Sequence, residues 1–269
     1  MPTRSDLTSG PFSDIPAIQR AAEKVPGLLD FSGPQRNPHI SGTAWGTEIH
    51  YVKGNYWILY QIMGPNPVLG EEMTKDGGAN PIFRSATGKA EGPYVYHAML
   101  PASAASLFED DDGSVYLLAG HSTVVKLKDD LTGVDTGFMD KHKAATGYKG
   151  YVENREGIHM DFDIGFSVVK IGGKYVFFTC NCIGGYDQQY WVSDSIWGPV
   201  GRPRVMMPHG GHSFVMKDKE GKWHSLQWCF TSPMLPFLHE LHVEDTGGDV
   251  VMMPKYEWDH KGRKVATLK

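Results

Sequence analysis

Apolar runs alternate along this chain with short polar turns that carry a glycine. EIHYVKGNYWILYQ (48–61) has an apolar run, Gly54 and then an aromatic run. SLFEDDDGSVYLLAG (106–120) repeats the plan around Gly113, SVVKIGGKYVFFTC (167–180) around Gly173, and HSFVMKDKEGKWHSLQW (212–228) around Gly221. Two strand-forming runs joined by a glycine-containing turn spell a β-hairpin. The acids of 109–112 belong to the second of these turns. Placing Gly113 at the sixth position of a calcium loop puts Phe108 at the first and Ala119 at the twelfth, where carboxylates are required, so an EF-hand is excluded.

A second element also recurs. IFRSATGKAEGPY (82–94) and YWVSDSIWGPV (190–200) each place a strand and a polar turn before Gly-Pro, adding a third strand and a return connection. LHVEDTGGDVVMMPKYEW (241–258) reads as a hairpin turning at 246–248, which finishes the last unit or helps a further one. The turn glycines recur at about 50–60 residues, the scale of a propeller blade, and small antiparallel sheets of this kind must pack against one another around an axis. The expectation is an all-β, five-bladed β-propeller over 44–269. Residues 1–43 read as an N-terminal extension with a short helix from Pro16 to Val25. No internal linker is long enough to mark a second domain.

Composition agrees. The 32 glycines with 7 Trp, 12 Tyr and 12 Phe suit a turn-rich β protein. A net charge of −5 offers no basic stripe for nucleic acid, and no apolar run approaches the roughly 18 residues of a membrane span. MPTRSDLTSG lacks a signal-peptide core, which reads as cytoplasmic as written, or periplasmic or secreted if a leader was removed. Cys180, Cys182 and Cys229 fit neither a zinc framework nor a disulfide lattice, and the first two alternate on a strand and are expected to pack.

In a propeller the innermost strands line the central cavity, which directs attention to 45–50, 103–106, 156–166 and 209–212. Several of the 12 histidines fall there or close by: His50, His121, His159, His209 and His212. Imidazole near neutral pH serves as acid, base or ligand.

These same segments resemble a known family. AWGTEIHYVKGNYWILY looks like the W-A-P-E-[IV]-H-Y signature of family-43-like glycoside hydrolases, five-bladed propellers with an axial sugar pocket. SLFEDDDGSVYLLAG, DIGFSVVKIGGKYVFF and GGHSFVMKDKEGKW resemble three later blades of that family, in family order, and HELHVEDTGGDVV its closing strands. The resemblance runs from about residue 44 to 252 and implies hydrolysis at a terminal sugar by acid and base carboxylates. It places Asp163 at the general acid and leaves Ala104 where an aspartate would tune that acid. Arg36-Asn37-Pro38-His39-Ile40 echoes the first-blade base motif but carries Asn37, and Asp14 in SDIPAI is a second weak echo.

Two variants of this assignment stay open. Glu156 in REGIHMDFD also resembles the acid motif. A shifted blade count would instead make Glu48 the base, Asp163 the tuning residue and a histidine of PHGGH the acid. The chemistry requires no cofactor, although the resemblance implies a central calcium or sodium near His212. Trp45 would offer a stacking face to a sugar, and Arg155 a fork for a carboxylated or sulfated one. His50, His121, His159 and His209 complete the substrate contacts, and Tyr186 with Gln188 and Gln189 would rim the pocket. The alternatives are a propeller that binds carbohydrate without turnover, to which Ala104 points, and a lyase with a histidine or tyrosine base. Oligomeric state is left open.

Overall fold

The computed structural model describes residues 43–63, 80–100, 105–120, 122–158, 164–181, 187–208, 210–229, 236–258 and 264–267. The expected N-terminal helix lies outside them. Contacts group the chain into two units, 1–115 with 127–135 and 116–126 with 136–269.

In the first unit β1 (Thr43–Val52), β2 (Asn55–Met63), β3 (Asn80–Ser85) and β4 (Tyr94–Leu100) form an antiparallel sheet in chain order. Its core holds Val52, Trp57, Leu59, Ile82 and Leu100, and Trp57 Nε1 donates to the Val52 carbonyl at 2.8 Å. β5 (Ser106–Glu109), β6 (Val115–Ala119) and β7 (Thr123–Lys126) form a three-stranded sheet. The second unit contains two more sheets. One joins β8 (Ile164–Ile171), β9 (Lys174–Asn181), β10 (Asp187–Ser193) and β11 (Arg204–Met207). The other joins β12 (Gly210–Lys217), β13 (Trp223–Cys229), β14 (Pro236–Asp245) and β15 (Val250–Pro254). These two share a core of Val176, Phe178, Tyr190, Met206, Val215, Leu241, Val250 and Met252. Cys180, in β9, is buried.

Sheets whose strands follow chain order are the blades of a propeller-type fold. Among the described residues there are four, where the sequence led us to expect five. The 241–258 stretch turns at Gly247 (φ 78°) and supplies the end of β14 and all of β15, so it closes the last blade. Beyond β15, the short strands β16 (Tyr256–Trp258) and β17 (Lys264–Thr267) pair, among the described residues, only with each other.

The four turn glycines read from the sequence all have left-handed backbone, with φ of 70°, 77°, 79° and 82° at Gly54, Gly113, Gly173 and Gly221. Two turn geometries use them. Lys53–Gly54 and Gly172–Gly173 are two-residue turns with both φ positive, the arrangement whose twist matches paired strands. In the other two, Asp110 N donates to Ser114 O (2.9 Å) and Asp218 N to Lys222 O (2.8 Å) across a three-residue loop. The acidic run is spent on this local work. Asp112 accepts from both the backbone N–H and the hydroxyl of Ser114, and Glu109 accepts from Lys53 N at 2.8 Å. The repeated Gly-Pro motifs are also alike, since Gly92-Pro93 and Gly198-Pro199 are both cis.

One helix, α1 (Thr136–Thr146), falls in a stretch without an apolar stripe. Only Met139 on it is buried, and Gly147 (φ 74°) ends it by donating to Lys143 O at 2.9 Å.

Candidate active site

Three sheets open on a strand with the same defect. In β1 the register slips between Trp45 and Glu48, in β8 between Ile164 and Ser167, and in β12 between Gly211 and Phe214. Each slip sets two residues against one on the neighbouring strand: 46–47 against Tyr60, 165–166 against Thr179, and 212–213 against 227. The first residue of each pair is left-handed, with φ of 54° at Gly46, 68° at Gly165 and 51° at His212. This is a β-bulge that wants glycine at its first position, a device that re-aims side chains next to functional sites. His212 occupies it at a strain cost of about 1–3 kcal/mol.

In the second unit the bulges of β8 and β12 meet. A Cβ on Gly165 would stand 3.2 Å from His212 Cα and 3.5 Å from two carbons of its ring. Glycine at 165 therefore makes the space that the half-buried imidazole fills. A completely buried amide ties the pair together. Gln188 Nε2 donates to the carbonyl of Thr179, opposite the β8 bulge, at 3.0 Å, and to Gln189 O at 3.3 Å. Its Oε1 accepts from the N–H of Ser213, the second bulge residue of β12, at 3.1 Å. Bulges leave backbone groups outside the ladder, and a buried one left unpaired costs about 1–3 kcal/mol. Gln188 satisfies one on β9, opposite the β8 bulge, and one on β12, so it is a brace between the two sheets rather than a rim contact. The buried hydroxyls of Ser167, beside the β8 bulge, and Ser213, within the β12 bulge, have no hydrogen-bond partner among the described residues.

In the first unit, the residues just after the β1 bulge carry the chemistry. Glu48 and His50 lie on one side of the strand, two residues apart, while Ile49 between them is exposed. Glu48 Oε2 and His50 Nε2 are 2.8 Å apart, and the side chains are 13% and 6% exposed. A shielded carboxylate against an imidazole fixes the ring's orientation and gives a pair able to take or give a proton.

Arg155 and Glu156 are placed elsewhere. Asn154 Oδ1 accepts from the N–H groups of Glu156 and Ile158, both at 2.9 Å, and Arg155 and Glu156 line a cleft of about 510 Å³. That cleft also contains Lys174, Ser193, Asp194 and Arg204, which mark the end of the β8–β11 sheet remote from Ile164. The two ends are separated by the length of β9, roughly 25 Å. The structure thus brings together Glu48 with His50, His212 with Gly165 and Gln188, and Arg155 with Glu156. It separates the last pair from the strand that follows Asp163. Asp163, His121, His159, His209 and Tyr186 lie outside the described residues, and so does the side chain of Trp45, whose backbone pairs with Gln61 at the β1 bulge.

Among the described residues no three His, Cys, Asp or Glu side chains converge on a metal position. A cation at His212 therefore has no direct side-chain cage among them.

Among the described residues the fold is all-β with four blades, three of them opening on a bulged strand, and two of those strands, β1 and β12, carry histidine. The sequence pattern of the glycosyl hydrolases family 43 matches residues 24–262, and the chain belongs to that family. Solved structures share the fold at low identity. The family 43 protein BlXynB of Bacillus licheniformis superposes with a TM-score of 0.59 at 17% identity, covering 84% of this chain and 46% of its own. An endo-1,4-beta-xylanase of Bacteroides thetaiotaomicron gives 0.54 at 17%, over 79% and 75% of the two chains. A family 43 alpha-L-arabinofuranosidase of Clostridium thermocellum gives 0.52 at 16%, over 79% and 73%. The match thus spans less than half the length of BlXynB. No curated protein sequence matches the chain.

Proposed function

We propose that this protein is a glycoside hydrolase that removes a terminal sugar from a xylan- or arabinan-type glycan. Family membership supports the reaction class. The observation that carries the site is the braced pair of bulges at Gly165 and His212, on strands whose sequence runs directly from Asp163 and His209. A bulge costs ladder bonds, and a left-handed histidine adds strain. Their cost is understandable where side-chain direction matters more than stability.

The bond cleaved is an acetal. Asp163 gives its proton to the glycosidic oxygen as the C–O bond breaks, and the transition state takes on oxocarbenium character. A base removes a proton from the water that attacks the anomeric carbon, so the sugar gains hydroxyl and the leaving group gains hydrogen; within the first unit Glu48, oriented by His50, is the group suited to that step. Glu156, at the far end of its sheet, is not assigned a step. His212, held at its bulge against Gly165, is assigned to positioning the sugar.

The test is turnover of 4-nitrophenyl arabinofuranoside and xyloside, and of the matching oligosaccharides. Asp163→Asn is expected to lower kcat roughly 100- to 10,000-fold, the usual worth of a general acid. Unchanged turnover in that variant removes Asp163 from the mechanism. A second reading rests on Ala104: without the tuning carboxylate, the chain would bind glycan and not cleave it. Hydrolysis with a bell-shaped pH profile excludes that reading, and saturable binding with no released sugar establishes it.

A further inference from the structure

Charge is distributed unevenly around the cleft at the Lys174 end of the β8–β11 sheet. Arg155, Lys174, Arg202 and Arg204 line it against Glu156, Asp194 and Asp249. Two of the acids are already matched. Lys174 Nζ pairs with Asp194, and Arg204 forks onto both oxygens of Asp249 while donating to Val250 O at 2.8 Å. Arg155 and Arg202 are exposed, and among the described residues neither guanidinium has a hydrogen-bond partner. The chain as a whole carries −5, so this cationic site runs against its surroundings.

Arg155 is mounted on a firm base. Besides the two bonds to Asn154 Oδ1, Asn154 bridges to Val200, and Val200 N donates to Glu153 O at 2.9 Å. Its charge reaches both Asp194 and Asp249. Arg155 also borders a second cleft of about 460 Å³, whose wall includes His142, Tyr148, Tyr151 and Trp197. Trp197 is wedged among rings, 4.1 Å from His142 and 5.1 Å from Tyr148 between centroids. One arginine therefore stands where a cationic cleft joins an aromatic one.

We propose that these joined clefts form a second carbohydrate site that takes a uronate-bearing glycan. Arg155 and Arg202 hold the sugar carboxylate, and the neighbouring ring lies toward Trp197. A guanidinium matches a planar carboxylate with two parallel hydrogen bonds, and the apolar face of a pyranose suits an aromatic wall. The proposal rests on the glycosidase reading only in taking the ligand to be a carbohydrate. It needs no turnover.

The experiment is calorimetric titration of the full chain with trigalacturonate, beside xylotriose and poly-glutamate, at low and high salt. Trigalacturonate is expected to bind with an affinity that falls with salt. Replacing both arginines (Arg155→Ala with Arg202→Ala) is expected to weaken it roughly tenfold or more, since charge-assisted, forked hydrogen bonds are the strong ones. Arg155→Lys, which keeps the charge and loses the fork, should fall between. Both side chains are exposed, and melting curves are the check that the variants fold. The proposal is overturned if the unaltered protein does not bind trigalacturonate, if the double variant binds it as tightly, or if poly-glutamate binds equally well. Hydrolysis of neutral substrates is a separate readout, so loss of turnover with retained trigalacturonate binding sinks the catalytic reading alone.

Discussion

The two ends of the β8–β11 sheet solve opposite problems. At the Ile164 end a neutral amide is buried and spent on backbone: Gln188 is completely enclosed and serves Thr179 and Ser213. At the Lys174 end the polar groups are charged, solvated and only partly matched, with Arg155 and Arg202 left over. The first arrangement fixes geometry at an energetic cost. The second costs little and keeps charge available to a ligand. A propeller blade can thus be rigid where directions must be held and permissive where a chain is to be gripped.

The largest test of this contrast is Gln188→Leu. It strands a carbonyl and an N–H in the core, and we expect a loss of about 3 kcal/mol, or roughly 6–12 °C in Tm by calorimetry. A change as small as those at exposed sites would mean the brace is not needed. Acid titration comes next. Burial holds His239 of β14 down to about 4 from its ordinary 6.5. Its neutral form is the one the fold accepts, so its contribution is whole above pH 6.5 and fades as pH falls toward 4, by up to about 3 kcal/mol. Denaturant melts across that window, with His239→Phe as the comparison, should show this slope disappear.

Smaller effects separate shape from strain. Gly165→Ala adds a Cβ 3.2 Å from His212 Cα on left-handed backbone, and should cost about 1–2 kcal/mol in urea unfolding while lowering turnover. His212→Gly relieves strain at the same bulge. It should gain up to about 1 kcal/mol yet lose activity, and a gain in both would show that the imidazole does nothing for substrate. At the charged end, Arg204 lowers the Asp249 carboxyl below its usual range. That contribution is present above the ordinary aspartate pKa near 4 and fades as pH drops through and below it. The pair is more than a third exposed, so Asp249→Asn should change acid melts by only a few tenths of a kcal/mol.

Much of the fold was legible because its needs fall on glycine. Gly54, Gly113, Gly173 and Gly221 mark turns that other residues enter at a cost, so their spacing shows in the sequence. The bulge at 212 was hidden because histidine occupies the left-handed position, although Gly46 and Gly165 fill its counterparts. The helix at Thr136–Thr146 was hidden because only Met139 is buried on it, which leaves no apolar stripe to read. Glu48 was picked out by resemblance and His50 by its place on an innermost strand, and their 2.8 Å contact follows from strand alternation. Gln188 looked like a surface polar residue, because nothing local distinguishes an amide at a rim from one sealed against two backbones. Arg155 was read as a contact of the central pocket, since sequence order does not reveal at which end of a blade a connecting loop emerges.

An amide has no proton to trade. With glutamine in that sealed position, the spacing between the opening strands is insulated from acidity, whatever happens to reactive carboxyls nearby. A limb of a rate profile against pH then does not arise from this brace, and the acid slope of the fold itself is left to groups such as His239.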